Sequence, residues 1–482
     1  MVLRVPFGSW MPYKRITLVD QQAWGNKRTL KDKNMSKSKT KKEEVKRISH
    51  MPVINPAAAG IDVADSEMVV AYAINSEEMV VQAFGTYTSD LFLIADTLKR
   101  YGVTSIAMES TGVYWVSLFL LLQEYGFEVY LVNAKHVKNV TGRKDDESDA
   151  EWIQKLHRCG LLSPSFQPDK LMRTLRSLVR HRKNLVRTAA SYINRMQKSL
   201  ELMNIKLHTV ISDLDGKTGT LIIEAILAGE RNPEVLADMR DSRIKASREE
   251  IVKSLEGYWT KEHLFSLKQC YQLYCTHRLL IDECDKEIEQ QLIGQVASKN
   301  DGEVPDVSKV KRKAPTKHKI QVNLTAYLNE ILNVDVTQAF GISELTALTI
   351  MSEVGTDMSK WKTEHHFTSW LGLAPNTKIS GGKVISSRIQ KKKHHAGSAF
   401  RIAANTVSRS QNALGDYYRR IRSSSGSAKA TVATARKLAI IFYKMVSKKE
   451  AFNPSAMVEY QRKYKEKKIN QLKRKIALLE AA

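Results

Sequence analysis

At 482 residues the chain is too long for one ordinary hydrophobic core, and two or three domains are expected. Hydrophobic residues make up 43% and charged residues 26%, a balance that excludes disordered and fibrous proteins. The 76 Lys and Arg against 51 Asp and Glu give a formal charge of +25, which favours a polyanionic partner, nucleic acid first. A basic ribosomal or membrane-surface protein is the alternative. Apolar stretches such as Val116 to Leu122 are too short to span a bilayer, so no membrane partner is expected.

The cysteines indicate neither a zinc site nor a disulfide framework. They show no C-x-x-C pair and no matched histidine spacing, and their positions are Cys159, Cys270, Cys275 and Cys284. The N-terminus also lacks the apolar core of a secretory signal. We therefore expect reduced thiols in a cytoplasmic protein.

The N-terminal residues 1–55 predict a basic, weakly ordered arm that ends at Asn55-Pro56. Met35 and Met51 are alternative starts of the chain. The arm is expected to supply at most non-specific, salt-sensitive contacts to phosphates.

From Ala58 the pattern changes to short strands separated by polar turns, with two helices among them. Strands are predicted at 60–64, 68–74, 79–86, 105–108 and 128–132, and helices at 90–101 and 115–125. This order fits a ribonuclease H-like α/β domain over residues 56–165. Actin-like kinases begin in the same way, so the order alone does not decide the fold.

The rest of the chain is predicted to be mainly helical. Two long amphipathic helices, 170–204 with interleaved Arg and Lys and 261–293, indicate a segment over 166–298 that pairs as an antiparallel coiled coil around a small insert. Simple core packing explains these helices as well as a nucleic-acid or dimer surface does. A basic, proline-containing linker at 299–325, a mainly helical domain at 326–450 and a charged helix at 451–482 follow.

Four acids stand at predicted strand ends and at a helix start: Asp62, Glu109, Asp146 and Asp149. If the helix begins near Asp145, then Asp146 and Asp149 share one face. Phosphodiester transfer uses such carboxylates to hold two Mg²⁺ ions roughly 4 Å apart. For any one acid alone, a helix cap or a solvated turn residue is the simpler explanation, and the joint pattern of four weakens it.

The flanks of these acids resemble a known family. The segments Gly60-Ile61-Asp62-Val63, Met108-Glu109-Ser110-Thr111-Gly112 and Lys144-Asp145-Asp146 to Asp149-Ala150 are similar to the DEDD motif of the Piv-like transposases, insertion-sequence family 110. The resemblance implies a RuvC-like site in which Asp62, Glu109, Asp146 and Asp149 bind Mg²⁺, two ions being expected. Asp145 matches no required acid.

A second resemblance lies towards the C-terminus, in Trp370-Leu371-Gly372-Leu373-Ala374-Pro375 and Ser380-Gly381-Gly382-Lys383. It implies a transposase domain in which Ser380 is the nucleophile that attacks DNA. Lys383, Arg388 and Lys391 would offset phosphate charge within a Gly, Ser and Lys-rich loop at 380–395. Chemistry alone does not exclude Ser386 or Ser387, nor a phosphate-binding loop without covalent chemistry. Phe340-Gly341-Ile342 and the long Lys391 to Gly397 turn depart from the family pattern.

The resemblance spans roughly residues 58–446. It implies a transposase that cuts and rejoins DNA strands as a dimer or tetramer, guided by a bridge-type non-coding RNA, close to the nucleoid of a prokaryotic cell. No residue demonstrates RNA binding, although the charge and the basic helices are compatible with it.

Three competing hypotheses remain open. A RuvC-like nuclease or junction resolvase would need the acids but not Ser380. An actin-like sugar kinase would need Gly-rich phosphate and adenosine loops, which the sequence lacks. A non-catalytic RNA-binding scaffold would account for the charge but not for the four acids.

Overall fold

A computed structural model describes residues 44–47, 52–75, 78–133, 137, 148–300, 320, 322–389 and 394–480. The chain divides into two compact units, Met1–Phe166 and Gln167–Ala482. Most of the predicted N-terminal arm and of the predicted linker lies outside the described residues. Within these ranges no helix combines the length and the apolar composition needed to cross a bilayer.

The first unit is built on a mixed sheet that comprises six strands among the described residues. They are β1 (Glu44–Arg47), β2 (Ala58–Val63), β3 (Met68–Ala73), β4 (Glu78–Phe84), β5 (Ser105–Glu109) and β6 (Glu128–Val132). The spatial order is β1-β4-β3-β2-β5-β6. The neighbouring strands β1 and β4, β4 and β3, and β3 and β2 pair antiparallel. The neighbours β2 and β5, and β5 and β6, pair parallel. The edge strand β1 is not predicted from the sequence, because a four-residue segment within a Lys-rich stretch gives no apolar alternation.

Helices cover both faces of this sheet. α1 (Thr88–Arg100) and α2 (Trp115–Glu124) pack on one face, where Ile61, Val70 and Met108 belong to the main core. α3 (Asp149–Arg158) packs on the other face through Trp152 and Ile153, against Ala107 and Val132. Alternate residues of β2 and β5 therefore face two different helical layers.

The start of α3 differs from the prediction. Ser148 is the N-cap: its hydroxyl accepts from the Glu151 N–H at 3.3 Å, and the Glu151 carboxylate accepts from the Ser148 N–H at 2.7 Å. This reciprocal capping box fixes the first helical residue at Asp149. The expected start near Asp145 is therefore wrong for this helix, since Asp149 is its first residue.

The second unit is mainly helical. Its helices are α4 (Lys170–Leu202), α5 (Leu207–Val210), α6 (Lys217–Ala228), α7 (Pro233–Asp238), α8 (Arg248–Leu255), α9 (Lys261–Lys299), α10 (Leu324–Leu332), α11 (Glu344–Val354), α12 (Glu364–Trp370), α13 (His395–Val407), α14 (Ala413–Ser425), α15 (Ser427–Lys448) and α16 (Ser455–Glu480). Short 3₁₀ turns lie at Val336–Gln338 and Met358–Lys360. Between α12 and α13 the chain forms a two-stranded hairpin, β7 (Lys378–Ser380) and β8 (Lys383–Ser386).

The two longest helices, α4 and α9, lie antiparallel. Arg182 of α4 forms a buried, bidentate ion pair with Asp285 of α9, and further along α4 the Ser199 hydroxyl donates to the Ser266 hydroxyl at 3.3 Å. Contacts further along α4 are made to residues earlier in α9, so the two helices run antiparallel, as the sequence predicted. The small helices α5 to α8 pack against this pair in one apolar cluster.

A second buried carboxylate joins α4 to the C-terminal helices. Glu353 of α11 accepts two hydrogen bonds from the Arg180 guanidinium, at 2.7 and 2.8 Å, and Arg176 lies 3.9 Å away. Bidentate pairs of this kind fix orientation as well as supplying energy. An aromatic cluster that includes Trp361, Phe367 and Phe400 then holds α12, α13 and α15 together.

One buried histidine makes the stability of the first unit depend on pH. His157 is fully buried, its Nε2 lies 2.6 Å from the Ser105 hydroxyl, and its ring packs on Tyr130. Burial lowers the pKa of His157 from 6.5 to about 4, against a smaller opposing effect of Glu128. The folded state therefore keeps this imidazole neutral where the unfolded chain would already bind a proton.

Because the pKa is depressed on folding, stability present above pH 6.5 should be lost as pH falls towards about 4. The loss is on the order of 3 kcal/mol at the acid end of this window. Chemical unfolding of the wild type and of His157→Gln at pH 7 and pH 4.5 measures it. The variant should lose less stability than the wild type between the two pH values, and equal losses would contradict the assignment.

Candidate functional site

Two of the four predicted acids end neighbouring parallel strands. Ile61 of β2 pairs with Met108 of β5, and Asp62 and Glu109 occupy the next position of each strand. Neighbouring strands lie about 4.8 Å apart. Both acids are half-buried, and they face away from the core side that holds Ile61 and Met108. The two carboxylates therefore lie side by side at the carboxyl edge of the sheet, on the α3 face.

The third acid, Asp149, is the first residue of α3, the helix that covers this face. The Gln154 amide donates to the Ala58 carbonyl oxygen at 3.3 Å, and the Ala150 carbonyl lies over Gly60. α3 thus runs antiparallel to β2, and its N-terminus points towards the strand end that bears Asp62. Because the N-terminus of α3 points to this strand end, Asp149 lies near Asp62 and Glu109.

The approach of α3 to β2 depends on Gly60. A Cβ built at Gly60 would lie 2.3 Å from the Gln154 nitrogen and 2.5 Å from the Ala150 carbonyl oxygen, both backbone atoms that cannot move aside. Any larger residue would push the helix away from the strand.

The donor chemistry fits a hard divalent cation, since carboxylate oxygens are the ligands that Mg²⁺ prefers. Asp146 lies outside the described residues. Among the residues that are described, no group of three or more His, Cys, Asp or Glu side chains lies close enough to hold a metal ion. Asp62, Glu109 and Asp149 therefore mark one edge without forming a complete ligand group by themselves.

Near Glu109 the structure adds a residue that sequence reasoning did not single out. The Thr111 hydroxyl donates to Glu109 Oε1 at 3.2 Å. The sequence could have indicated Thr111, because it stands two residues after the acid within Met108-Glu109-Ser110-Thr111-Gly112.

Ser380 lies at the tip of the β7–β8 hairpin rather than in a flexible loop. Gly381 and Gly382 form the two-residue turn, and both have positive φ, +54° and +75°. Two consecutive residues with positive φ are typical of a type I′ turn, whose twist matches that of the two strands of a hairpin. The prediction of a loop over 380–395 is thus wrong for its first part, because Gly-Gly serves here as a hairpin turn.

The predicted phosphate-binding cations lie at different places relative to the hairpin. Lys383 pairs directly with Ser380 across the hairpin, so that their side chains share one face. Arg388 lies beyond β8, where its carbonyl oxygen accepts from the Asn376 N–H at 3.1 Å. Lys391 lies outside the described residues. Ser386, a rival to Ser380, pairs with Lys378 at the other end of the hairpin.

Comparison with known families identifies the chain. A model of IS110-type DEDD transposases, described as "Transposase", matches residues 59–205. A second model, "Transposase IS116/IS110/IS902 family", matches residues 335–419. The chain belongs to the IS110 family of DEDD transposases. No curated protein matches the chain.

The two matches bear on different parts of the transposase. The first includes the positions of the four acids and the second includes those of Ser380, Lys383, Arg388 and Lys391. As a transposase the protein is an enzyme that acts on DNA, with a role in transposition and recombination.

Gly60→Ala tests whether the close packing of α3 positions the acids. We expect a loss of stability of about 1–3 kcal/mol and a loss of transposition, because the added methyl group displaces α3 and Asp149 with it. Gly294→Ala in α9 is the matched control, since a Cβ there meets nothing within 4 Å. Thermal unfolding and a recombination assay measure both effects. Wild-type activity in Gly60→Ala would contradict this role of the contact.

Proposed function

We propose that the transposase cuts and rejoins DNA strands with a carboxylate site in its first unit and a serine nucleophile in its second. The observation that supports this most directly is the side-by-side placement of Asp62 and Glu109 beneath the helix that begins at Asp149. Such an edge suits a cation that binds a phosphate.

We infer that the first unit has a ribonuclease H-like, RuvC-like fold. The order β4-β3-β2-β5-β6, with an antiparallel meander followed by parallel strands, supports this proposal, as does α3 on the face of the acids. For the organisation of the chain we retain the boundaries expected from the sequence: 56–165, 166–298, 299–325, 326–450 and 451–482.

The metal site would consist of Asp62, Glu109, Asp146 and Asp149, with Mg²⁺ as the preferred ion. When bound, Mg²⁺ would offset negative charge on the reacting phosphate. The contribution of the protein is to hold Asp62 and Glu109 on rigid strand ends. The hydrogen bond from Thr111 restricts the orientation of the Glu109 carboxylate.

Ser380 is the proposed nucleophile. Its Oγ attacks a DNA phosphorus, an Oγ–P bond forms, and the bond from that phosphorus to one deoxyribose oxygen breaks. The serine proton leaves to solvent or a nearby base, and the released sugar oxygen takes up a proton. Attack by the hydroxyl of another strand reverses these steps and regenerates the serine. The energy of the phosphodiester is conserved, so rejoining needs no nucleotide cofactor.

The cations near Ser380 support this role. Lys383 shares its face, and Lys383, Arg388 and Lys391 would offset phosphate charge during the attack. A nuclease that only hydrolyses DNA would use the acids without Ser380, and a non-catalytic scaffold would use neither.

A guide RNA is the proposed second partner, and a homo-oligomer, either a dimer or a tetramer, is the proposed assembly. Exposed cations along α4, among them Lys183, Arg187 and Lys198, support contacts to a nucleic-acid backbone. The charge of +25 is compatible with two polyanionic partners.

Single substitutions distinguish these hypotheses. Asp62→Asn, Glu109→Gln and Ser380→Ala should each lower strand joining by at least about 100-fold, since each removes a group that acts on the reacting phosphate. DNA binding should persist. Asp65→Asn, at a neighbouring exposed acid, and Ser386→Ala are matched controls that should stay near the wild type. Cutting without joining in Ser380→Ala would instead favour the nuclease.

A further inference from the structure

The β7–β8 hairpin has two chemically different faces. Ser380 pairs with Lys383, and Ile379 pairs with Val384. Because side chains alternate along a strand, Ser380 and Lys383 lie on one face and the two apolar residues lie on the other. The apolar hairpin face, defined as Ile379 and Val384, therefore lies directly behind the proposed nucleophile.

The apolar hairpin face is exposed to solvent. Ile379 is 63% exposed, Val384 is 60% exposed, and the adjacent Ile385, at a register shift, is 69% exposed. Soluble proteins rarely leave neighbouring large apolar side chains in water unless a partner covers them. Three β-branched residues at one hairpin tip indicate a surface that is buried during function.

The hairpin forms a ribbon of two strands. Its pairing continues below β7 and β8 through the Asn376 N–H, which donates to the Arg388 carbonyl oxygen, and through a bridge between Pro375 and Ile389. From this bridge to the glycine turn the ribbon is about 20 Å long. A two-stranded ribbon is narrow enough for the roughly 12 Å major groove of B-DNA.

Charge complementarity favours DNA as the occupant. Lys378 and Lys383 belong to the hairpin and Arg388 follows it, while the exposed side chains of 375–389 include no acid. Cations beside apolar residues match a duplex, in which phosphates flank apolar base surfaces. A protein partner with a purely apolar contact would not require these cations.

We propose that the apolar hairpin face enters duplex DNA and unstacks the base step beside the phosphate that Ser380 attacks. This inference rests on the proposed function, since it assumes Ser380 as nucleophile. Unstacking a base step costs free energy, which the burial of the Ile379 and Val384 side chains between the bases offsets. The polar face then approaches a phosphate whose backbone is no longer constrained by stacking.

The test uses the full chain bound to a duplex containing an element end, with the transcribed RNA of the element in every arm. The double variant Ile379→Thr/Val384→Thr keeps β-branched residues in the hairpin but removes its apolar surface. Ile402→Thr is the matched control, because Ile402 is 58% exposed but lies on α13. 2-Aminopurine beside the scissile phosphate reports unstacking by its fluorescence.

The wild type, the Ile402→Thr control and Ser380→Ala should all raise the fluorescence, whereas the double variant should not. Joining by the double variant should fall on the order of ten-fold or more on a paired duplex. It should recover on a duplex with a mismatch at that step, where the bases are already unstacked.

A fluorescence rise in the double variant, or no rescue by the mismatch, would overturn the inference. So would a changed oligomeric state of the double variant in light scattering, which would assign the apolar face to a subunit contact. A failure of the serine assignment would show differently. If Ser380→Ala still joined strands, Ser380 would not be the nucleophile, while the fluorescence result on unstacking would be unaffected.

Discussion

The first unit depends on one close contact, between the backbone of β2 at Gly60 and the backbone of α3 at Ala150 and Gln154. Without a side chain at Gly60, the helix lies directly on the strand. Its N-terminus, capped by Ser148, is thereby directed to the strand ends that bear Asp62 and Glu109. The geometry of the acidic edge follows from this packing, because like-charged carboxylates repel one another and do not come together by themselves.

The second unit is organised by ion pairs that involve buried carboxylates. Arg182 with Asp285 fixes the register of α4 and α9, and Glu353 with Arg180 fixes α11 against α4. Buried pairs of this kind add little net stability over apolar residues, but an unmatched partner is costly, so they disfavour other registers. The hairpin that bears Ser380 has the opposite character, since it is exposed on both faces. The helical body is thus held by internal ion pairs, and the hairpin that extends from it is the surface that we propose contacts DNA.

The sequence predicted what periodicity and motif spacing encode. The strands around Asp62 and Glu109 follow from short apolar runs bounded by polar turns, and the two long helices follow from their apolar period. The start of α3 was missed although Ser148 and Glu151 have capping-box spacing, because the acids at 145 and 146 suggested an earlier start. The hairpin was missed because two short strands around Gly381-Gly382 resemble a flexible loop in composition. The contact at Gly60 involves residues 90 or more apart in the chain, which no local pattern encodes.

We propose that Ser380 becomes covalently joined to DNA during strand exchange. Denaturing the reaction on an element-end duplex, digesting the protein and mapping the DNA-linked peptide by mass spectrometry tests it most directly. We expect a phosphodiester on Ser380 that forms in the wild type and is absent from Ser380→Ala. An adduct on Ser386 or Ser387, or one that persists in Ser380→Ala, would contradict it.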